Sequence, residues 1–550
     1  MRGLMMDRPL LVSSILDYAA ERYGDVEMVS CTADAPEHRT TYAALRRRAQ
    51  QLAGALQNRL GARLGDRIAT LAWNDHRHFE LYYSIAGIGA VCHTINPRLF
   101  PEQIVYIVNH AEDRYLFTDP MFLPLLERLA PQLERLEGIV VLGDAAQLPA
   151  SGLEGLIDYE SLIADQPFEL TWPEFDETTA CGLCYTSGTT GRPKGALFHH
   201  RSTVLHALTI VMPDVMGLSA RDTVLPAVPM FHVNAWGLPY ACPLVGARMV
   251  MPGPRLDGAS LYRQLERERV TFAAGVPTVW FGLLDQLRER KEGLSHLERL
   301  VIGGAAPPLS MIEAFENQYG VEVLHGWGMT EMSPVGAVCC PPTADLIAHE
   351  RQRLKQKQGQ AIWGVEFKIV DDQGRRLAHD GTTAGLLYVR GPWIASGYFR
   401  DEAASEAAVD AEGWFSTGDV ATIDRQGYMH ITDRAKDLVR SGGEWISSID
   451  LENAAVGHPD LAEAAVIAVP HAKWGERPLL VAVRRPGADV GKAAILEYLA
   501  GKVARWWLPD DVVFVDELPH TATGKLQKTA LRERFKDHVL PTARDRSCEV

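Results

Sequence analysis

The chain has no uninterrupted apolar run near the roughly 18 residues that suggest a membrane-spanning helix, although 47% of its 550 residues are hydrophobic. Nor is there an excess of positive charge. Fifty-five Lys and Arg stand against 70 Asp and Glu, a formal charge of -15, which argues against a dedicated nucleic-acid binder. The eight Cys never gather with His at metal-site spacing. Cys181 and Cys184 form a lone CxxC without the second pair that a structural zinc site needs. They and the adjacent Cys339 and Cys340 read as reduced packing residues. Internal repeats and low-complexity segments are missing as well. The opening run MRGLMMDRPLLVSSILDYAAERYGD carries Asp17 and Glu21 where a secretion signal needs apolar continuity. It reads as an amphipathic helix, and the cytoplasm is the expected location.

What is present is length and alternation. A chain of 550 residues exceeds the usual size of one domain, so two or more are expected. Over the first 430 or so positions, helical stretches alternate with short apolar strands. RTTYAALRRRAQQLAGALQNRLGA gives a strand-like start and a helix ended by Gly61; DRIATLAW reads as a strand, and HFELYYSIAGIGAVCHTINP as a helix followed by a strand. This pattern predicts an α/β fold with mostly buried parallel strands. Functional loops in such sheets lie at the carboxyl ends of strands, which favours Gly303–Pro307 and Gly326–Glu331 for ligand contact. From about Gly364 the texture changes to alternating strands separated by turns, which predicts small antiparallel sheets. DRAKD, from Asp433 to Asp437, marks a junction. The expected division is a large domain over 1–433 and a compact α+β domain over 434–550.

One loop stands out chemically. YTSGTTGRPKG, Tyr185 to Gly195, is not the common P-loop, because Lys194 is followed by Gly195 instead of Ser or Thr. It still holds the parts of a phosphate cradle: Gly residues that let amides converge on an anion, hydroxyl donors, and the point charge of Lys194. Composition alone leaves both a phosphate cradle and a plain surface loop open.

The run resembles the phosphate-binding signature of the adenylate-forming family, which includes acyl-CoA synthetases, carrier-protein adenylation domains and beetle luciferases. Further signatures follow in order: PMFHVNAW from Pro229, GGAAP from Gly303, GWGMTE from Gly326, STGD from Ser416, RAKD from Arg434, SGGEW from Ser441 and TATGKLQK from Thr521. The resemblance implies a multi-sheet N-terminal domain and a small, mobile C-terminal domain. It assigns the ATP phosphates to Thr186, Ser187, Gly188, Thr189, Thr190, Gly191 and Lys194. The adenine side falls to Gly303, Gly304, Ala305 and Trp327, and Gly328, Met329 and Thr330 are further ATP-binding positions. Many relatives have Tyr where Trp327 stands, so the ring face is kept and a phenol hydrogen bond is lost. Asp419 corresponds to the carboxylate that holds the ribose hydroxyls, with Arg434 as its basic partner. Glu331 and Thr186 correspond to the residues associated with Mg²⁺, a hard cation held partly by substrate phosphates.

By the same resemblance, Lys525 is the lysine that the small domain carries into the adenylation site, where its charge offsets that of the attacked phosphate. Lys436 is the pivot between two half-reactions, and Gly442, Gly443, Glu444 and Trp445 line the passage for CoA. The implied reaction joins a carboxylate to ATP as an acyl-adenylate and then passes the acyl group to CoA. No enzyme nucleophile is required, so the lack of a Ser/His/Asp or Cys/His triad is consistent with it. Trp236 corresponds to a gate of the acyl tunnel and His232 to a residue beside it. The apolar Val233, Ala235 and Gly237 favour a hydrophobic acid. A medium-chain fatty acid is expected, with 3-methylthiopropionate or another short acid as the alternative. Loading of a carrier protein and non-catalytic nucleotide binding are two further alternatives. The long-chain branch implies a homodimer.

Overall fold

The computed structural model describes residues 1, 3–32, 37–144, 149–186, 192–341, 347–442, 444–520 and 526–544. The described strands form four sheets. In the seven-stranded sheet the order is Ile157–Asp158, Gly138–Val141, Tyr115–Thr118, Arg67–Leu71, Val91–Thr94, Ala180–Thr186 and Lys194–His199. All neighbours there are parallel except the last pair. The nine-stranded sheet has a parallel centre, with Phe272–Gly275, Arg299–Ile302 and Glu322–Gly328 side by side, and antiparallel pairs at both edges. The α/β alternation read from the sequence is therefore observed, with antiparallel margins added.

These segments fold as they do because their apolar residues are spaced for two-sided burial. Val91–Thr94 is buried at every position, as a central parallel strand must be. Helix His76–Gly87 is buried at all twelve positions; it packs on strands of both large sheets. Its start is fixed by Asp75, whose carboxylate accepts from the His78 amide at 2.8 Å. Burial of Phe79, Tyr82 and Tyr83 contributes about 1.5–3 kcal/mol for each side chain. The phenol of Tyr83 donates to the Pro239 carbonyl at 2.9 Å and that of Tyr82 to the Met230 carbonyl at 2.5 Å, so neither hydroxyl is stranded. Helix Tyr42–Asn58 follows strand His38–Thr41 directly, and Gly61 lies beyond its end at φ +62°.

The third sheet is antiparallel: Glu366–Val370, Gly385–Arg390, Phe415–Ile423 and Met429–Arg434. After Arg434 the chain enters the fourth, beginning at Val439–Ser441. Its long hairpin, Leu461–His471 with Gly475–Arg484, alternates between two faces. Val466 and Leu480 pack with Leu451 and Ile495 on one side; Ile467 and Leu479 pack with Leu531 on the other. Helices thus cover both faces of a small α+β domain. The Ser448 amide donates to Asp433 at 2.7 Å across the junction.

Cys181 and Cys184 are buried in strand Ala180–Thr186. Burial pushes both thiols up, to about 12 and about 11, which suits reduced packing residues and not reactive thiols. Among the described residues no helix is long and apolar enough to cross a membrane.

Candidate active site

The hydroxyl-rich loop joins an antiparallel pair in which Thr186 faces Lys194. Ser187, Gly188, Thr189, Thr190 and Gly191 lie outside the described residues, as do Gly443 and Lys525. The strand ends are held from two directions. The Tyr185 hydroxyl is 2.6 Å from His110 Nδ1. The Phe399 amide donates to the Gly195 carbonyl at 2.8 Å.

Glu331 sits in the short turn Thr330–Met332 and is 5% exposed. Its Oε1 accepts from the Tyr398 hydroxyl at 2.8 Å, and its carbonyl accepts from the Ala395 amide at 2.7 Å. The ring of Tyr398 faces Lys194, whose Nζ is 4.9 Å from the ring centre. Burial first, and the Glu331 carboxylate second, push the phenol far above its ordinary pKa, so it stays a proton donor. Tyr398 was absent from the sequence reading. Its partners are remote in the chain, and the local text ASGYF carries no mark beyond a turn.

The putting together of Trp327 and Asp419 is tighter than the sequence suggested. Strand Glu322–Gly328 extends through Gly326, Trp327 and Gly328, so these are strand residues and not the loop that follows one. The ladder slips between Trp327 and Gly328, where a Cβ on Gly328 would lie 1.9 Å from the Pro334 carbonyl oxygen. Met329 continues by donating its amide to that same carbonyl at 3.1 Å. Trp327 Nε1 donates to Asp419 Oδ2 at 3.1 Å, and its ring meets Phe367 edge-on at 5.8 Å. The indole thus supplies a polar contact of its own, although the phenol of many relatives is missing.

Asp419 is 2% exposed and lies opposite Arg434 in the β ladder. Arg434 Nε is 2.7 Å from Asp419 Oδ1. The arginine is 43% exposed, so solvent screens this pair. The buried carboxylate is thus held by one hydrogen bond from the indole and by an ion pair with the neighbouring strand.

Gly303 and Gly304 follow the carboxyl end of strand Arg299–Ile302, as expected of ligand loops; Ala305 is the next residue. A Cβ at Gly303 would lie 3.0 Å from the Gly326 carbonyl oxygen and 3.1 Å from Trp236 Cη2. That close approach brings Gly303 against both Gly326 and Trp236. Trp236 is buried in an unusual turn: Val233, Asn234, Ala235, Trp236 and Gly237 have φ of 39°, 57°, 46°, 57° and 82°. The half-buried His232 precedes it. The His206 ring packs behind Gly237, where a Cβ would come within 2.8 Å. His206 Nε2 accepts from the Val335 amide at 3.1 Å, and burial lowers its pKa to about 3.

On the small-domain side, the Ala435 amide donates to the Gly418 carbonyl at 3.0 Å, next to Asp419. Lys436 is exposed. Gly442, at φ +61°, donates its amide to the Trp474 carbonyl at 2.7 Å. Glu444 and Trp445 lie in strand Glu444–Ile446, where Trp445 faces Arg440. The structure therefore gathers Thr186, Lys194, Glu331, Trp327, Asp419, Arg434, Gly303 and Trp236 where three sheets meet, with Tyr398 added.

Comparison with known proteins agrees with this arrangement. Residues 16–399 match the family described as AMP-binding enzyme, and residues 450–525 match the AMP-binding enzyme C-terminal domain. The 3-methylmercaptopropionyl-CoA ligase of Ruegeria lacuscaerulensis is 52% identical over 98% of this chain and 99% of its own. The medium-chain-fatty-acid–CoA ligase of Ectopseudomonas oleovorans is 48% identical over 98% of both chains. Among solved structures, the anthranilate CoA ligase AuaEII in complex with anthranoyl-AMP superposes with a TM-score of 0.86 at 28% identity, covering 96% of this chain and 98% of its own. The chain belongs to the AMP-binding enzyme family, among its AMP-forming acyl-CoA ligases.

Proposed function

We propose that the protein converts a short- to medium-chain hydrophobic acid to its CoA thioester in two steps. The substrate carboxylate attacks the α-phosphorus of ATP and pyrophosphate leaves; the CoA thiol then attacks the acyl carbonyl and AMP leaves. The observation that carries this reading is the joining of Asp419, Trp327 and Arg434 at one end of the site to Trp236 through Gly303. That continuity suits a substrate made of a nucleotide and an apolar acyl group.

Asp419 holds the ribose hydroxyls, Trp327 and the Gly303–Ala305 turn flank the adenine, and Lys194 with the hydroxyl-rich loop takes the phosphates. Lys525 stabilises charge during adenylation. The small domain, residues 434–550, then rotates about Lys436 and brings Gly442–Trp445 to the CoA passage. The donor set fits a magnesium ion: Glu331 is an oriented, nearly buried carboxylate. Thr186 and the ATP phosphates would supply further oxygens, as suits a hard cation held partly by substrate. Bound magnesium would offset charge on the departing pyrophosphate. The cytoplasm supplies both ATP and CoA, and a homodimer is the proposed assembly.

The identity of the acid follows two likenesses. The relative at 52% identity is named for 3-methylmercaptopropionyl-CoA, the one at 48% for medium-chain fatty acids; both acids suit the apolar turn around Trp236. Purified protein, ATP, Mg²⁺ and CoA should be assayed with acids from 3-methylmercaptopropionate to long-chain fatty acids. Formation of AMP and acyl-CoA from the short and medium members is expected. Failure with the whole panel would sink the proposal.

A further inference from the structure

We infer that Tyr398 is a positioning residue that keeps Lys194 and Glu331 apart while orienting both toward the nucleotide phosphates. This rests on the ligase reading above and adds a residue to it. The side chain lies between opposite charges and engages each by a different part of the ring. Its hydroxyl donates to Glu331 Oε1 at 2.8 Å, and its face receives Lys194 Nζ at 4.9 Å from the centre. A direct Lys–Glu ion pair would divert both groups from substrate, since opposite charges in contact attract each other strongly where solvent is scarce. The aromatic spacer replaces that contact with a cation–π interaction and a charge-assisted hydrogen bond. The carboxylate is thereby oriented by a neutral donor, and the ammonium rests against an aromatic face.

The backbone around Tyr398 is built to hold it there. Ala395 donates to the Glu331 carbonyl at 2.7 Å, and Phe399 donates to the Gly195 carbonyl at 2.8 Å. One short segment therefore fastens to both halves that the side chain separates. The Tyr398 amide donates to Ser405 Oγ at 2.8 Å, while Ser405 Oγ donates to the Asp401 carbonyl at 2.7 Å. A Cβ at Gly397 would lie 2.8 Å from Ser405 Oγ, so the turn closes tightly behind the ring.

The test separates the hydroxyl from the ring. In Tyr398→Phe the ring stays, so binding of metal-free α,β-methylene-ATP, measured calorimetrically without turnover, should match the parent. Binding of its magnesium complex should weaken about tenfold, a typical weight for one hydrogen bond to a charged group. The Mg²⁺ concentration for half-maximal rate should rise by a similar factor, with KM for acid and CoA unchanged. In Tyr398→Leu both forms of the nucleotide should bind more weakly, because Lys194 loses its platform. In a Glu331→Gln background, Tyr398→Phe should add little further, since the hydroxyl acts through that carboxylate. Equal loss for metal-free and magnesium-bound nucleotide in Tyr398→Phe, an unchanged magnesium dependence, or full additivity with Glu331→Gln would overturn the inference. An inactive parent that binds no ATP would instead overturn the ligase reading.

Discussion

Replacing Trp327 by Phe would remove one donor from a buried carboxylate while keeping an aromatic face in place. The indole Nε1 is 3.1 Å from Asp419 Oδ2, and Asp419 is 2% exposed, so water does not readily replace the lost bond. A hydrogen bond to a charged group contributes about 1.5–3 kcal/mol net. The Arg434 ion pair remains, and because Arg434 is 43% exposed it adds little compensation. With Asp419 free to turn away from the ribose, affinity for ATP should fall about tenfold or more. KM for acid and CoA should hold. The assay is calorimetric binding of ATP and of an acyl-adenylate analogue, with a thermal melt as control for folding. Unchanged nucleotide affinity in a folded Phe variant would refute the link from indole to carboxylate to ribose. Trp327→Tyr, which restores the residue common in relatives, should recover part of the loss only if its hydroxyl reaches a partner.

Lys525→Ala should suppress pyrophosphate release while leaving CoA capture of a supplied acyl-adenylate near the parent rate; normal adenylation in that variant would refute the assignment. His206, His78 and His325 are buried with pKa values lowered to about 3, about 4 and about 4. Their ordinary value is near 6.5, so below it the unfolded chain binds more protons than the folded one. Stability should therefore fall from about pH 6.5 toward pH 4, each imidazole contributing roughly 1.4 kcal/mol per pH unit at most. Melting curves across that range should show a shallower slope for His206→Gln than for the parent, and identical slopes would count against the buried neutral imidazole.

The fold was legible wherever apolar spacing and turn residues agreed. Strand Arg67–Leu71, helix His76–Gly87 and strand Val91–Thr94 emerge from a local pattern that burial on both faces enforces. The antiparallel edge at Val335–Cys339 was not legible, because strand direction depends on what lies across the sheet. The site divides along similar lines. Asp419 and Arg434 stand in separate motifs; the resemblance paired them, and the register of the ladder supplies the physical reason by setting them opposite. Trp327 was read as a loss relative to tyrosine, since a residue name does not say where an indole N–H points. Tyr398 escaped notice because its meaning lies wholly in two distant charges.

The turn at Val233–Gly237 has a consequence for how such a protein could be improved. Four residues with a Cβ adopt left-handed backbone there, at roughly 1–2 kcal/mol each. The sum is comparable to the net stability of an ordinary domain, about 5–15 kcal/mol. Selection for heat resistance alone would therefore find this segment early, since glycine at these positions relieves strain. The same relief would loosen the seat of Trp236. If Trp236 gates the acyl group as proposed, robustness and choice of acid draw on one short stretch of backbone, and breeding for the first would tend to erode the second.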